Sequence, residues 1–224
     1  MTITVIPVID LLQGRVVRAV RGDRKNYQAI VSALCSGSDP LAVARALIAH
    51  TASPSLYVAD LDALQGGAAQ TAVLQQLLQG LPGIELWLDA GFADAASAVA
   101  LRAQCGADAA RVRPVYASES LRSRAALAAC CADGDAVLSL DRRDGHRLDP
   151  AGCWDAPELW PQRVIVMTLE RVGSDAGPDL HTLFDVRSKA PGATLIGAGG
   201  IRDAADLAGA AAWLVASALH DRRL

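Results

Sequence analysis

Eight short apolar runs alternate with helix-like segments along the chain, and this alternation limits the possible folds more than any other feature. The runs lie near residues 3–9, 56–59, 85–88, 111–115, 136–140, 164–167, 194–196 and 212–215. Runs of this length between polar residues are typical of strands that are buried in a parallel sheet. Eight such strands with helical crossovers predict an α/β fold, a (β/α)8 TIM barrel that forms one domain over residues 1–224. An open doubly wound sheet is the alternative.

The segments between the runs carry helix signals. Asp39 is a capping side chain, and Pro40 follows it at a position where no backbone donor is needed, so a helix is predicted to begin there. Further helices are predicted over residues 71–79, 94–106, 118–130 and 180–189. Residues 12–27, rich in glycine and charge, predict a hairpin or an active-site loop.

Composition excludes several classes of function. The net charge of -3 gives no reason to expect a nucleic acid or an acidic membrane as a partner. No apolar stretch approaches the ~20 residues of a membrane span, and the amino terminus lacks a secretory pattern, so a cytoplasmic location is expected. The five cysteines form no Cys-x-x-Cys pair and the four histidines lack ligand spacing, which predicts reduced thiols and no metal site.

The two halves of the chain resemble each other. Asp60 and Thr168 are separated by the same number of residues as Asp89 and Gly197, which predicts an internal repeat of two half-barrels. Little chain follows the last apolar run, so the last helix is predicted to be truncated. We expect the apolar barrel surface left open there to be covered by a second subunit, which would make the protein a homo-oligomer.

Four apolar runs end on an aspartate, and these carboxylates predict acid–base chemistry. The carboxyl ends of parallel strands share one rim, which is where barrels place their active sites. Two carboxylates across that rim can divide proton transfer between a base and an acid. We predict Asp10 and Asp141 as this pair, Thr168 as a hydrogen-bond partner of a substrate hydroxyl, and Asp60 and Asp89 as supporting groups. The alternative for each aspartate is a cap on the following loop or helix.

Small residues after the last two strands predict an anion site. Gly199-Gly200-Ile201 follows the seventh run, and Ala216-Ser217 follows the eighth. Glycines allow backbone N–H groups to approach a phosphate, and phosphate sites between strands seven and eight are frequent in barrels.

These motifs resemble the histidine-biosynthesis barrel family. The family includes phosphoribosylformimino-aminoimidazole-carboxamide ribotide isomerase and the cyclase subunit of imidazole glycerol phosphate synthase. The resemblance rests on IPVIDL at 6–11, GRVVR at 14–18, Gly22-Asp23 with Tyr27, VADLDA at 58–63, LSLDRRDG at 138–145 and AGGI at 198–201. It implies an Amadori aldose–ketose rearrangement of a phosphoribosyl-type substrate, with Asp10 as base, Asp141 as acid and Thr168 assisting. It also implies that Trp154 stacks on the substrate and that neither a metal nor an organic cofactor is needed.

The chain departs from the family pattern in both halves. The first-half phosphate turn has become Asp89-Ala90-Gly91-Phe92, and the family's Asp-Gly-Thr after the sixth strand is Val172-Gly173-Ser174. Arg113 is a candidate for supplying positive charge at the lost first-half phosphate turn, although an ion pair with Asp89 or Asp108 is the favoured alternative. These departures predict a substrate with one phosphate.

Three functions are therefore open. The first is the sugar-phosphate isomerase itself. The second is a diverged paralogue that acts on a mono-phosphorylated substrate in another pathway, such as the biosynthesis of a one-carbon-carrier cofactor. The third is a non-catalytic barrel that binds a ligand.

Overall fold

The computed structural model describes residues 3–23, 26–132 and 134–224. The strands are β1 (Thr4–Leu12), β2 (Arg15–Arg18), β3 (Gln28–Ala29), β4 (Ser55–Asp60), β5 (Glu85–Asp89), β6 (Val112–Ala117), β7 (Val137–Arg143), β8 (His146–Arg147), β9 (Arg163–Thr168), β10 (Thr194–Ala198) and β11 (Ala212–Val215). The α-helices are α1 (Pro40–Thr51), α2 (Leu61–Leu64), α3 (Thr71–Gly80), α4 (Ala95–Gln104), α5 (Arg124–Cys131), α6 (Leu180–Lys189) and α7 (Ser217–His220).

Eight of these strands form a closed parallel barrel, as the sequence predicts. Their order around the barrel is β1, β4, β5, β6, β7, β9, β10 and β11, and β11 closes the ring by pairing with β1. The short strands β2 and β8 pair antiparallel with the ends of β1 and β7, which begin the two halves. Both halves therefore open with a strand that carries a hairpin arm, in agreement with the predicted repeat.

The apolar side chains divide into two layers because successive residues of a strand point to opposite faces. Residues such as Ile6, Trp87 and Ile165 fill the inside of the barrel. Residues such as Ile9, Leu88 and Val164 face outward and pack against the helices. These inner side chains fill the body of the barrel, so that a ligand can bind only at one of its two ends.

Most helices begin at the residues that the sequence indicates. The Asp39 side chain accepts a hydrogen bond from the backbone N of Ala42 at 2.8 Å, which caps α1. The predicted helix over 118–130 is wrong at its start, because α5 begins only at Arg124, capped by Ser123. Ser118 does not join the helix because its hydroxyl accepts a hydrogen bond from the backbone N of Asp141 at 2.9 Å.

The helical layer is thinnest next to β11. Only a 3-10 turn, Ala204–Asp206, lies between β10 and β11, and α7 after β11 has four residues. Of the helices in the described ranges, none combines the length and the apolar character that crossing a bilayer requires.

Candidate active site

One cavity opens at the carboxyl ends of the barrel strands and contains both predicted catalytic aspartates. Asp10, near the end of β1, and Asp141, on β7, line this cavity together with Gly199 and Gly200 after β10. Around the barrel, three strands separate β1 from β7 in either direction. The two carboxylates therefore approach the cavity from opposite sides of the barrel.

Asp141 is fixed by hydroxyl groups on its own strand and on the neighbouring one. The Ser139 hydroxyl donates to Asp141 Oδ1 at 2.7 Å, and the Ser118 hydroxyl donates to Oδ2 at 3.2 Å. The residue is 4% exposed. Burial raises the pKa of the Asp141 carboxyl well above its ordinary value, the charges of Glu119 and Asp89 raise it further, and the Ser139 hydrogen bond opposes them. A carboxyl that keeps its proton at higher pH is suited to the role of general acid.

Asp10 lies in a less enclosed position than Asp141. It is paired in register with Ala59 of β4 on one side and with Val17 of the hairpin arm β2 on the other. Its side chain is half-buried. A half-buried carboxylate on the opposite wall from a buried carboxyl gives the two groups different environments, which is the usual basis for separate base and acid roles.

The predicted anion site lines the same cavity. Gly199 and Gly200 have φ angles of 96° and 90°, which side-chain-bearing residues rarely adopt. A Cβ on Gly199 would lie 2.7 Å from the Thr168 carbonyl oxygen, and one on Gly200 would overlap the Gly177 carbonyl oxygen. Only glycine fits at these two positions. Ile201, Ala216 and Ser217 complete this end of the cavity.

The opposite end of the cavity, after β5, differs in chemistry. Asp89 lies there, and it accepts hydrogen bonds from the Tyr57 hydroxyl at 3.1 Å and from the backbone N of Gly91 at 3.2 Å. Burial raises the pKa of Tyr57, and the charges of Asp89, Asp141 and Asp10 raise it further, so the phenol remains a hydrogen-bond donor. Leu61 and Leu64 form the adjoining wall.

The turn that corresponds to the glycine pair in the first half is filled. The rings of Phe92 and Tyr116 contact each other with centroids 5.9 Å apart, and both side chains are buried. A Cβ on Gly91 would lie 3.3 Å from the Cα of Leu64. Gly91 and Phe92 do not line the cavity, whereas Gly199 and Gly200 do.

Two predicted site residues at strand ends do not line the cavity. Asp60 is fully buried, accepts from the backbone N of Ala63 at 3.2 Å, and accepts from the backbone N of Gln70 at 2.7 Å. Asp60 is thus the cap of α2, which was the alternative for each aspartate. The Thr168 hydroxyl donates to Asp179 Oδ2 at 3.3 Å, and Asp179 in turn caps α6.

Arg113 and Trp154 also lie away from the cavity. Arg113 is at the start of β6, where it forms ion pairs with Glu85 at 2.8 Å and with Asp135, and not with the expected Asp89 or Asp108. Trp154 is 2% exposed and packs in the outer core, with the Arg147 guanidinium over its ring at 5.1 Å.

Several cavity residues are absent from the sequence-based prediction. Tyr57, Glu119, Tyr27 and Asp175 all line the cavity. Asp175 comes from the loop after β9, the loop in which the chain lacks the aspartate of the family's Asp-Gly-Thr motif. Asp175 forms an ion pair with Arg223 at 2.9 Å. Among the described residues, no group of three or more His, Cys, Asp or Glu side chains is arranged to hold a metal ion.

Comparison with known proteins identifies the family of the chain. Residues 4–224 match the sequence profile of the family described as histidine biosynthesis protein. The chain belongs to this family.

The relatives of the chain are distant. An uncharacterized protein of Methanocaldococcus jannaschii is 26% identical over 96% of the chain and 92% of its own length. Two relatives named 1-(5-phosphoribosyl)-5-((5-phosphoribosylamino)methylideneamino) imidazole-4-carboxamide isomerase come from Rippkaea orientalis and Salinispora arenicola. The first is 28% identical over 92% of the chain and 80% of its own length. The second is 29% identical over 95% of the chain and 87% of its own length.

Proposed function

We propose that the chain is an aldose–ketose isomerase that rearranges a phosphorylated aminoaldose, with Asp10 as base and Asp141 as acid. The observation that carries the proposal is that both carboxyls line one cavity from opposite sides, together with the Gly199-Gly200 turn. The name of the isomerase relatives, which describes a phosphoribosylamino substrate, is consistent with this chemistry.

The phosphate binds at the turn after β10 in this proposal. Backbone N–H groups of Gly199, Gly200 and Ile201 and the Ser217 hydroxyl supply hydrogen-bond donors to its oxygens. Binding there orients the sugar across the barrel mouth, between the two carboxyls. Orientation of this kind turns a proton transfer that is slow in water into an intramolecular step.

Asp141 starts the rearrangement by donating its proton to the furanose oxygen. The ring C1–O bond breaks as the nitrogen lone pair forms a C1=N iminium group. Asp10 then removes the proton from C2, and the resulting enaminol tautomerises to a 2-ketose when C1 gains a proton. No oxidant or reductant is consumed, because the hydrogen lost from C2 is balanced by the hydrogen gained at C1.

Thr168 is a positioning residue in this mechanism. Its carbonyl oxygen lies against Gly199, and its hydroxyl holds Asp179 at the start of α6. Thr168 therefore lies beneath the loop that forms the phosphate site and supports that loop.

A different substrate for the same reaction is the second candidate function. Asp89 lines the end of the cavity where a second phosphate would bind, and Phe92 of the turn after β5 is buried in the outer core against Tyr116. This observation favours a mono-phosphorylated substrate, as expected for a paralogue in another pathway.

The test is a turnover assay with a simple aminoaldose. Ribose 5-phosphate and ammonium in D2O form ribosylamine 5-phosphate, and proton NMR follows deuterium at C1 of the aminoketose product. We expect wild-type turnover and a loss of about 10²-fold or more in Asp10→Asn and Asp141→Asn. The control Asp185→Asn makes the same chemical change on the exposed side of α6. Equal rates in all four proteins, or no aminoketose with any of them, would refute the proposal.

A further inference from the structure

The proposed rearrangement includes one proton transfer that has no assigned acceptor. Asp141 gives its proton to the furanose oxygen, and Asp10 takes the proton from C2. The enaminol then becomes a ketone only when its O2–H group also loses a proton while C1 gains one. The acceptor of the O2 proton must lie close to C2, and therefore close to Asp10.

The phenol of Tyr57 occupies such a position in the cavity. Asp10, Ala59 and Asp89 lie in one register row across β1, β4 and β5. The methyl group of Ala59 leaves space between the two carboxyls. Tyr57 lies two residues earlier on the same face of β4, and its hydroxyl reaches this row, because it donates to Asp89 Oδ2 at 3.1 Å. Tyr57 also lines the cavity.

The substrate orientation that the phosphate turn imposes favours contact with this phenol. Around the barrel, β5 and β10 are separated by three strands in either direction, so Asp89 lies opposite the turn at Gly199. A sugar that is held by its 5-phosphate at this turn directs C1 and C2 towards the β5 side. Tyr57 is on the strand beside Asp10, whereas Asp141 is on the opposite wall.

The hydrogen bond between Tyr57 and Asp89 determines which chemistry the phenol can perform. Its hydrogen is directed at Asp89, so a lone pair of the phenol oxygen is available to a donor in the cavity. Burial raises the pKa of Tyr57, and the charges of Asp89, Asp141 and Asp10 raise it further, so a free phenolate does not form. The phenol can accept a proton only if it passes its own proton to Asp89 in the same step.

We infer that Tyr57 is a further catalytic residue, which acts with Asp89 to remove the hydroxyl proton from O2 of the enaminol. The O2 hydrogen bonds to the phenol oxygen as the phenolic hydrogen moves to Asp89 Oδ2. The O2–H electron pair forms the C2=O bond, and the C1=C2 pair takes a proton from Asp10. This inference rests on the proposed function for the reaction itself.

The protons balance over the whole cycle. Asp10 gains a proton from C2 and gives one to C1. Asp141 loses one proton to the ring oxygen, and Asp89 gains one from O2 through Tyr57. A proton that returns from Asp89 to Asp141 through solvent therefore restores the starting state, and no oxidant, reductant or co-reactant is needed.

The test measures deuterium in both the substrate and the product. Ribose 5-phosphate and ammonium react with the protein in D2O, and proton NMR gives the rates of C2 deuteration of the aldose and of aminoketose formation. An enaminol that keeps its O2 proton returns to the aldose by taking a proton from Asp10. Because the Asp10 carboxyl exchanges with solvent, this return places deuterium at C2.

Tyr57→Phe removes only the phenol oxygen. We expect kcat for aminoketose formation to fall by about 10²-fold, with KM within about twofold of the wild-type value. The ratio of C2 deuteration to product should rise about tenfold or more, because removal of the C2 proton by Asp10 still occurs. A purely structural role for Tyr57 would not change this ratio.

Asp89→Asn is the second variant, and it tests the other half of the relay. Its amide oxygen still accepts the hydrogen bond from Tyr57 but cannot take a proton, so we expect the same change in the ratio. Combining both substitutions should cost no more than the larger single loss, because the two groups act as one unit. The control Tyr116→Phe removes a phenol oxygen in the outer core and should keep the wild-type ratio.

The outcomes separate this inference from the proposed function. A wild-type protein that forms aminoketose, with an unchanged rate in Tyr57→Phe, overturns the inference alone. A slower Tyr57→Phe with an unchanged ratio also overturns it, because the residue then acts before the enaminol or only in folding. Absence of aminoketose with the wild type refutes the proposed function and the inference together.

Discussion

Replacing Asp141 by asparagine is predicted to change the stability of the protein in a pH-dependent way, with the variant gaining on the wild type as the pH rises. Burial and the charges of Glu119 and Asp89 raise the pKa of Asp141 above its ordinary value of 3.8. Above pH 3.8 the unfolded chain releases the proton of this carboxyl while the native state keeps it. The native state then binds more protons, so stability falls with increasing pH until the raised pKa is passed.

The size of the effect follows from linkage. One bound proton corresponds to about 1.4 kcal/mol of unfolding free energy per pH unit. Asparagine does not titrate, so the Asp141→Asn variant does not lose this unfolding free energy as the pH rises. For a protein of this length, 1 kcal/mol corresponds to about 2–4 °C in Tm. The Tm advantage of the variant should therefore grow by about 3–6 °C per pH unit within the window.

Differential scanning fluorimetry of both proteins between pH 5 and pH 8 measures this slope. Hydrogen bonds lost with the carboxylate, such as that from the Ser118 hydroxyl, change the offset between the two proteins but not its pH dependence. The Asp185→Asn control corrects for the loss of one surface charge. A Tm difference that stays constant, or that shrinks as the pH rises, would show that Asp141 ionises as an ordinary carboxylate.

Three further predictions follow from individual contacts. Ser139→Ala removes a hydrogen bond that lowers the pKa of Asp141, so the alkaline limb of a pH–rate profile should move to higher pH. Asp60→Ala leaves buried backbone donors unpaired and should lower the unfolding free energy by about 1–3 kcal/mol in chemical denaturation, without changing the affinity for ribose 5-phosphate. Arg113→Ala should lower the unfolding free energy by only about 1 kcal/mol, because both carboxylate partners of this arginine are partly exposed, and a loss of ribose 5-phosphate affinity instead would place it at the binding site.

The barrel could be predicted from the sequence because its signals are local. Each strand is a short apolar run, and helix starts such as Asp39 and Asp94 are capping side chains next to the helix that they begin. The start of α5 could not be predicted in this way. The Ser118 hydroxyl is hydrogen-bonded to Asp141, which is 23 residues away, and no local sequence pattern predicts such a contact.

That Asp10 and Asp141 share one cavity could be predicted, because the internal repeat places them at equivalent strand ends. The direction in which other side chains point could not be predicted. Asp60 ends a strand as Asp10 and Asp141 do, yet it caps α2. Arg113 is the second residue of β6, so it lies near the end of the barrel that is remote from the cavity. Asp175 lines the cavity from a loop, where spacing from the preceding strand is not fixed.

The most direct test of the central claim is a crystal structure of Asp10→Asn with ribose 5-phosphate bound. We predict phosphate oxygens within hydrogen-bond distance of the backbone N atoms of Gly199 and Gly200. We also predict sugar C2 within about 3.5 Å of the residue 10 side chain, and the ring oxygen facing Asp141. A phosphate at the turn after β5, or a sugar out of reach of both carboxyls, would contradict the proposal that these two groups act on one substrate.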